Sequence, residues 1–96
     1  MPRPALEWKV TARADLLSIL DYISDDNPKA AQRVKDDIEA KVARLVEHPK
    51  LYRPGRMAGT REMNVRTNYM VVYTEDERTE TVLRVLHAAQ QWPPVE

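Results

Sequence analysis

The sequence has no cysteine, no phenylalanine and only two histidines, His48 and His87, among its 96 residues. The absence of cysteine excludes disulfide bonds and thiolate metal sites, and two histidines are too few for a multi-histidine zinc site. No apolar run approaches the roughly 20 residues that span a bilayer, and residues 1–4 lack the apolar stretch of a secretory signal. We therefore predict a cytoplasmic protein that needs no metal, cofactor or membrane.

The sequence also lacks net charge, because 15 Lys and Arg residues balance 15 Asp and Glu residues. A protein that binds nucleic acid on its own needs an excess of basic residues to neutralise phosphates, so we expect no direct, sequence-specific nucleic-acid binding. The charge is uneven along the chain: residues 49–74 carry a net +4, between a net −1 in residues 1–48 and a net −3 in residues 75–96. This pattern is typical of a protein with one basic docking face.

A chain of 96 residues, 43% of them hydrophobic, has room for one core. We therefore predict a single domain over residues 1–96, in which residues 93–96 form a loose tail. The large aromatic side chains are all Trp or Tyr, and each brings a polar atom that needs a partner when buried. The predicted core is thin, and a partner chain would help to stabilise it.

The first half of the chain has the pattern of one strand and two helices. Residues 6–10 alternate apolar and polar, as in a half-buried strand that turns positions 6, 8 and 10 toward the core. Thr11 is a suitable N-cap for a helix with apolar residues at helical spacing over 16–23. Asn27-Pro28 ends that helix and begins a second. The short connection predicts an antiparallel helical hairpin.

The second half has the pattern of three strands. Residues 60–65 alternate weakly, residues 69–73 are apolar on both faces, and residues 81–86 form another apolar run after a polar turn at 75–78. The prediction is an α+β fold with an N-terminal strand, an antiparallel helical hairpin and then a three-stranded antiparallel sheet, in the order β-α-α-β-β-β. The helices pack on one face of the sheet, and periodicity leaves the order of the strands open.

Short motifs in a fixed order, from about Trp8 to Pro93, carry a resemblance to a known family. They are Asp15-Leu16-Leu17, Tyr22-Ile23, Asn27-Pro28, Ala30-Ala31, Arg53-Pro54-Gly55-Arg56, Gly59-Thr60-Arg61-Glu62 and the run from Arg84 to Pro93. Together they resemble the RelE/ParE toxins of bacterial type II toxin–antitoxin modules, and the last run resembles the C-terminal signature of the ParE-like branch. Each motif is weak alone, whereas their order and spacing are specific.

The resemblance implies a toxin that a ParD-like antitoxin neutralises in a hetero-oligomer. ParE-like members inhibit DNA gyrase without cutting nucleic acid, whereas RelE-like members cleave mRNA in the ribosomal A site. We predict a gyrase inhibitor without catalytic residues of its own. The alternatives are a ribosome-dependent mRNA endonuclease and a degenerate toxin that only binds its antitoxin and helps to repress their operon.

A nuclease would draw its chemistry from Arg61, Arg84 and His87, as phosphate clamps and as a general acid or base. Residues three apart in a regular strand point to opposite faces. Arg84 and His87 therefore converge only if a bulge or the strand end lies between them. The alternative for His87 is a structural role at the end of a strand, with hydrogen bonds to the backbone.

Two sets of residues are predicted to contact proteins. Arginine and tryptophan are common at interaction hot spots, and the resemblance implies that the C-terminal region contacts the target. The predicted target-binding residues are Arg53, Arg56, Arg61, Arg84, His87 and Trp92. Surface ion pairs are the alternative for the basic segment, with Glu62 facing Arg66, and an anchor at the core edge is the alternative for Trp92.

The antitoxin is expected to cover the helical hairpin and part of the sheet, as the resemblance implies. Leu17 and Val46 lie beside the main apolar stripes of the helices, where a partner can contact them. The predicted antitoxin-binding residues are Leu17, Tyr22, Val46, Tyr52, Arg66, Tyr69 and Tyr73. The acidic pairs Asp25-Asp26 and Asp36-Asp37 are expected to be solvated.

Overall fold

The computed structural model describes residues 5–88 and 90–93, in which two helices pack on one face of a five-stranded mixed sheet. The elements are β1 (Ala5–Trp8), α1 (Val10–Ser24), α2 (Pro28–Ala43), a 3-10 turn (Arg44–Val46), β2 (Arg53–Pro54), β3 (Arg61–Val65), β4 (Tyr69–Glu75) and β5 (Thr79–His87). The order in the sheet is β1-β5-β4-β3-β2. No helix in the described part of the chain is long and apolar enough to cross a membrane. Residues 94–96 of the predicted tail lie outside the described residues.

The predicted α+β order of elements is confirmed, and the sheet is wider than the three strands expected. β1 joins it in parallel beside β5, while the other strand pairs are antiparallel. The two-residue strand β2 pairs with β3 at the far edge. Its Arg-Pro sequence has none of the alternation that marks a strand, so only the pairing identifies it.

The start of α1 corrects the sequence prediction at two positions. The strand ends at Trp8, and Val10 opens the helix with 84% of its surface exposed. Lys9 is the N-cap residue, and Thr11 donates from Oγ1 to the carbonyl oxygen of Leu83 at 3.1 Å. The reason is that Lys9 keeps the extended backbone of the strand (φ −66°, ψ 151°), with its N–H donating to the Val82 carbonyl at 2.9 Å, so the helical conformation begins at Val10.

The second helix begins as predicted. The Asn27 side chain accepts from the Ala30 N–H at 3.1 Å, and Pro28 occupies the first turn. Its apolar stripe packs with α1 on one face of the sheet, which we call the helix side. The buried core there consists of Ala12, Leu16, Val34, Ile38, Val42, Leu45, Met63, Val65, Val71, Tyr73, Val82 and Val85.

A bulge in β5 determines which side chains reach each face of the sheet. Val82 pairs with Tyr73 and Arg84 with Val72, so Leu83 is an extra residue. Val82 and Val85 therefore both reach the helix-side core although they are three residues apart. On the opposite face, which we call the open side, a smaller cluster contains Met70, Val72 and Leu86, with Leu83 and Trp92 packed against it.

Glu80 is a buried carboxylate within the sheet. It is 0% exposed, and within the described residues neither of its carboxylate oxygens has a hydrogen-bond partner. Glu75 lies directly across from it on β4, and Leu6 on β1. Burial and the nearby charges of Glu75 and Asp76 raise the pKa of Glu80 to about 7, against the opposing effect of Arg61. Folding therefore favours the protonated form of Glu80.

Glu80 should make the stability of the protein depend on pH. The unfolding free energy should fall as pH rises from about 4.5, where Glu80 titrates in the unfolded chain, to about 7, where it titrates in the folded one. Glu80→Gln removes this titration. Its stability relative to the natural protein should therefore be more favourable at pH 8 than at pH 4 by roughly 3 kcal/mol, at about 1.4 kcal/mol per pKa unit.

Urea denaturation of both proteins at the two pH values measures this difference. Glu77→Gln, at an exposed position in the adjoining turn, is the matched control and should show no such dependence. An equal difference at both pH values for Glu80→Gln would refute the prediction.

Candidate functional site

The first turns of α1 lie along the edge of β5. β1 pairs with β5 only from Thr79 to Val82, and α1 takes its place beside the rest of the strand. Thr11 donates to the Leu83 carbonyl at 3.1 Å, and Asp15 Oδ2 accepts from the Val85 N–H at 3.0 Å. The spacings match, because four helical residues rise about 6 Å and two strand residues about 6.7 Å. Two side chains on one face of α1 thus provide hydrogen-bond partners for backbone groups at the edge of β5.

Asp15 also binds Arg84 with both of its oxygens. Arg84 donates from Nε to Oδ2 at 2.7 Å and from Nη2 to Oδ1 at 3.0 Å. Such fork-shaped pairs are strong and directional. The hydrogen bond from Arg84 to Asp15 raises the pKa of Arg84, so its positive charge is stabilised. The Arg84 guanidinium carbon lies 5.6 Å from the centroid of the Trp92 ring, within the range of a cation–π contact.

A second carboxylate, Glu62, organises two arginines on the open side. Its side chain is 1% exposed and lies 3.3 Å from Nη2 of Arg53. Glu62 also accepts from the Arg56 N–H at 2.9 Å, which fixes the start of the loop after β2. Arg56 in turn donates from Nη1 to the Trp92 carbonyl at 3.0 Å. We call the resulting surface, formed by Arg53, Arg56, Arg84 and Trp92, the basic face.

The basic face brings together four of the six residues predicted to bind the target, and Arg61 is not one of them. Arg61 pairs with Tyr73 in the sheet and donates to the Tyr52 carbonyl at 2.7 Å, with Glu75 at 3.8 Å. It therefore lies toward the helix side and holds the loop before β2. Its side chain is 25% exposed.

His87 and Arg84 lie on opposite faces of the sheet. The bulge precedes Arg84 rather than separating the two residues, so the alternation between them is regular. His87 pairs with Tyr69, and the two rings meet edge to face at a centroid distance of 5.6 Å. As the last residue of β5, His87 borders grooves on both sides of the sheet. The condition for Arg84 and His87 to converge, a bulge or strand end between them, is therefore not met, and the two side chains lie apart as the alternation of a regular strand predicts.

The structure gives the contacts of Trp92 and Arg66, for which the sequence allowed more than one role. Trp92 is half-buried against the open-side cluster, so it is an anchor of the C-terminal segment. Among the residues described, nothing accepts a hydrogen bond from its buried Nε1.

Arg66 binds Asp37 at 2.6 Å, whereas Glu62 binds the loop arginines. The alternative of a Glu62–Arg66 pair is wrong, because Arg66 has a positive φ of 54° and begins the turn after β3.

A groove of about 470 Å³ lies between α1 and the ends of β4 and β5. Ile19, Tyr22 and Ile23 line it from the helix, and Tyr69 and His87 line it from the strands. Tyr22 is 82% exposed. The groove is therefore mainly apolar and aromatic, with a large exposed ring at its rim.

The residues predicted to bind the antitoxin lie in different parts of the fold. Tyr22 and Tyr69 share the groove, and Leu17 is exposed on α1. The others lie elsewhere: Val46 in the 3-10 turn, Tyr52 packed against the core, and Arg66 beside α2. Tyr73 is a correction, because it is 0% exposed and donates its hydroxyl to the Pro49 carbonyl at 2.7 Å. Its burial raises its pKa to about 12.

The roles of Asp15 and Glu62 are not among those predicted from the sequence. The sequence holds only a weak signal for Asp15, which follows Thr11 by four residues and so lies on the same face of the helix. Nothing in the local sequence distinguishes Glu62, whose partners come from another strand and its loop. In the described ranges, 5–88 and 90–93, no group of three His, Asp or Glu side chains could hold a metal ion.

Glu62→Gln should loosen the loop that carries Arg53 and Arg56. The amide keeps the shape but loses the charge that both arginines face, so the free energy of unfolding should fall by about 1–3 kcal/mol. Urea denaturation measures the change. Asp37→Asn, which breaks the exposed pair with Arg66, is the control and should cost less than about 1 kcal/mol. Equal effects of the two substitutions would contradict a special role of Glu62.

Comparison with known proteins gives a consistent set of relatives. The chain matches the family model for the ParE toxin of the type II toxin–antitoxin system parDE over residues 6–92. It is 38% identical over 95 residues to the Y4kP protein of Sinorhizobium fredii, with 99% of each chain covered. It is 34% identical over 85 residues to Toxin RelE2 of Caulobacter vibrioides, covering 86% of this chain and 93% of that protein. A solved structure of the chromosomal ParDE system from P. aeruginosa has the same fold, with a TM-score of 0.81 at 22% identity over 88% of this chain and 96% of that one.

Proposed function

Because the chain belongs to the ParE toxin family of type II toxin–antitoxin systems, we propose that it inhibits DNA gyrase by binding and that a ParD-like antitoxin neutralises it. The observation that carries the choice of a binding mechanism is the separation of Arg61, Arg84 and His87. Arg61 holds a loop, Arg84 is bound to Asp15, and His87 lies on the other face of the sheet from Arg84. A general acid and its phosphate clamps must converge on one reacting group.

The basic face is the proposed surface for the target. Its arginines are held by the largely buried carboxylates of Glu62 and Asp15, so little side-chain entropy is lost when they bind. Guanidinium groups and an indole are the side chains that contribute most at protein interfaces. The net +4 of residues 49–74 favours an acidic surface on the partner.

An mRNA endonuclease is the second candidate, and one observation favours it. Arg53, Arg56 and His87 border the same groove of about 210 Å³ on the open side. A relative at 34% identity carries the name Toxin RelE2. Against this, both arginines already face the Glu62 carboxylate, which reduces their attraction for a phosphate. We therefore place gyrase binding first.

Two parallel assays with the purified protein separate the candidates. In a gyrase supercoiling assay, we expect the protein to inhibit supercoiling. In a ribosome–mRNA cleavage assay, we expect intact mRNA. Cleavage of A-site mRNA with normal supercoiling would overturn the gyrase proposal, and no effect in either assay would indicate a degenerate toxin that only binds its antitoxin.

His87→Ala tests the division of roles more finely. A gyrase inhibitor should lose only affinity or nothing, since His87 lies at the border of the basic face. A nuclease should lose cleavage while it still binds the ribosome, because the imidazole would supply a proton. Loss of toxicity with unchanged target binding would place the protein among the enzymes.

The groove beside α1 is the proposed site for an apolar segment of the antitoxin. Tyr22→Ala removes the exposed ring at its rim and should weaken antitoxin binding at least 10-fold, about 1.4 kcal/mol. Isothermal titration calorimetry measures the dissociation constant. Leu51→Ala, which truncates an apolar side chain that is 69% exposed away from the groove, is the matched control and should change it less than 2-fold. If both variants bind equally well, the groove is not the antitoxin site.

A further inference from the structure

We propose that Asp15 is a positioning residue for target binding, which holds Arg84, and through it Trp92, in the arrangement that the target recognises. This inference rests on the proposed function, because it concerns the same basic face. Asp15 belongs to α1, and the residues that it positions belong to β5 and the segment after it. The sequence separation between Asp15 and Arg84 is 69 residues.

The first step of the argument is the geometry of the Asp15 carboxylate. Its two oxygens accept three hydrogen bonds, from Arg84 Nε, Arg84 Nη2 and the Val85 N–H, at 2.7–3.0 Å. The Asp15 side chain is only 17% exposed, so water competes weakly for it. Two parallel bonds to one guanidinium fix its plane as well as its position. A lone arginine at this place would sample several rotamers.

The second step is the contact of Arg84 with Trp92. The indole lies on the open-side cluster, with the Arg84 guanidinium 5.6 Å from its centroid. In the described part of the chain, the indole N–H has no acceptor, so no hydrogen bond of its own fixes the orientation of the ring. Besides the packing on the cluster, Arg84 contacts the ring and Arg56 donates to the Trp92 carbonyl. Loss of the Arg84 contact should therefore loosen Trp92.

The third step is that the arginines of the basic face bind carboxylates on different elements of the fold. Arg53 and Arg56 share Glu62 on the sheet itself, whereas Arg84 depends on a helix. Removing the Asp15 charge should therefore release Arg84 and Trp92 and leave Arg53 and Arg56 in place. The effect on target binding should be partial and should not spread to the loop.

Asp15→Asn is the direct test. Its remaining oxygen can still accept from the Val85 N–H, but the paired charge and one acceptor are lost. We expect a gyrase inhibition constant at least 10-fold higher, with antitoxin affinity unchanged within 2-fold. Asp37→Asn breaks the Asp37–Arg66 pair away from the basic face and should leave both values unchanged. Normal gyrase inhibition by a folded Asp15→Asn protein would overturn the proposal.

A double-mutant comparison separates positioning from a general structural effect. Asp15→Asn should weaken inhibition in the natural protein and have no further effect on an Arg84→Ala protein, since both changes remove the same contact. If Asp15→Asn weakened inhibition equally in the natural protein and in the Arg84→Ala protein, Asp15 would act through residues other than Arg84. Should Asp15→Asn fail to fold, Arg84→Lys supplies the same test, because it keeps the charge and the Asp15–Val85 bond but loses the fork. Normal inhibition by Arg84→Lys would then refute the proposal.

A fluorescence measurement tests the inference without gyrase. Trp8 and Trp92 are the only tryptophans, so Trp92 can be observed alone in a Trp8→Phe background. In that background, Asp15→Asn should increase the quenching of Trp92 by acrylamide, and Asp37→Asn should not. If the natural protein fails to inhibit gyrase, the proposed function falls while this readout still tests the positioning. Unchanged quenching by Asp15→Asn would refute the positioning itself.

Discussion

The arrangement of this protein depends on the hydrogen bonds by which side chains of α1 pair with the backbone at the edge of β5. Beyond the reach of β1, the backbone of β5 would expose its polar groups, which is a liability at any sheet edge. Thr11 and Asp15 satisfy Leu83 and Val85 instead. These two hydrogen bonds hold the first turns of α1 against β5, beside the core contacts of Ala12 and Leu16. They also place a carboxylate where Arg84 can reach it.

Two acidic side chains thus organise the arginines of the basic face, which is the surface proposed to bind the target. Asp15 and Glu62 lie largely inside the protein and bind basic residues at its surface. The same pairing that gives the arginines fixed positions also reduces their free charge. A surface of this kind suits recognition of a shaped acidic partner better than the attraction of a polyanion. The zero net charge of the whole chain likewise gives little long-range attraction for a polyanion.

The resemblance to the RelE/ParE toxins is confirmed by the match to the ParE family over residues 6–92. One fold serves unrelated activities in such families, so function depends on the local site. Here His87 lies at the end of β5, where the two faces of the sheet meet, and it borders grooves on both.

The sequence by itself determined the order of the elements other than β2, the break between the helices at Asn27-Pro28 and the apolar stripe of α2, because these depend on contacts within a few residues. It also placed the basic segment that contributes Arg53 and Arg56. Only the tertiary structure decided the parallel pairing of β1, the bulge at Leu83 and the burial of Tyr73. It alone showed that no bulge lies between Arg84 and His87, and it joined Arg84 to Asp15. Each of these depends on residues far apart in the chain, and local patterns carry no information about which distant partner a side chain will meet.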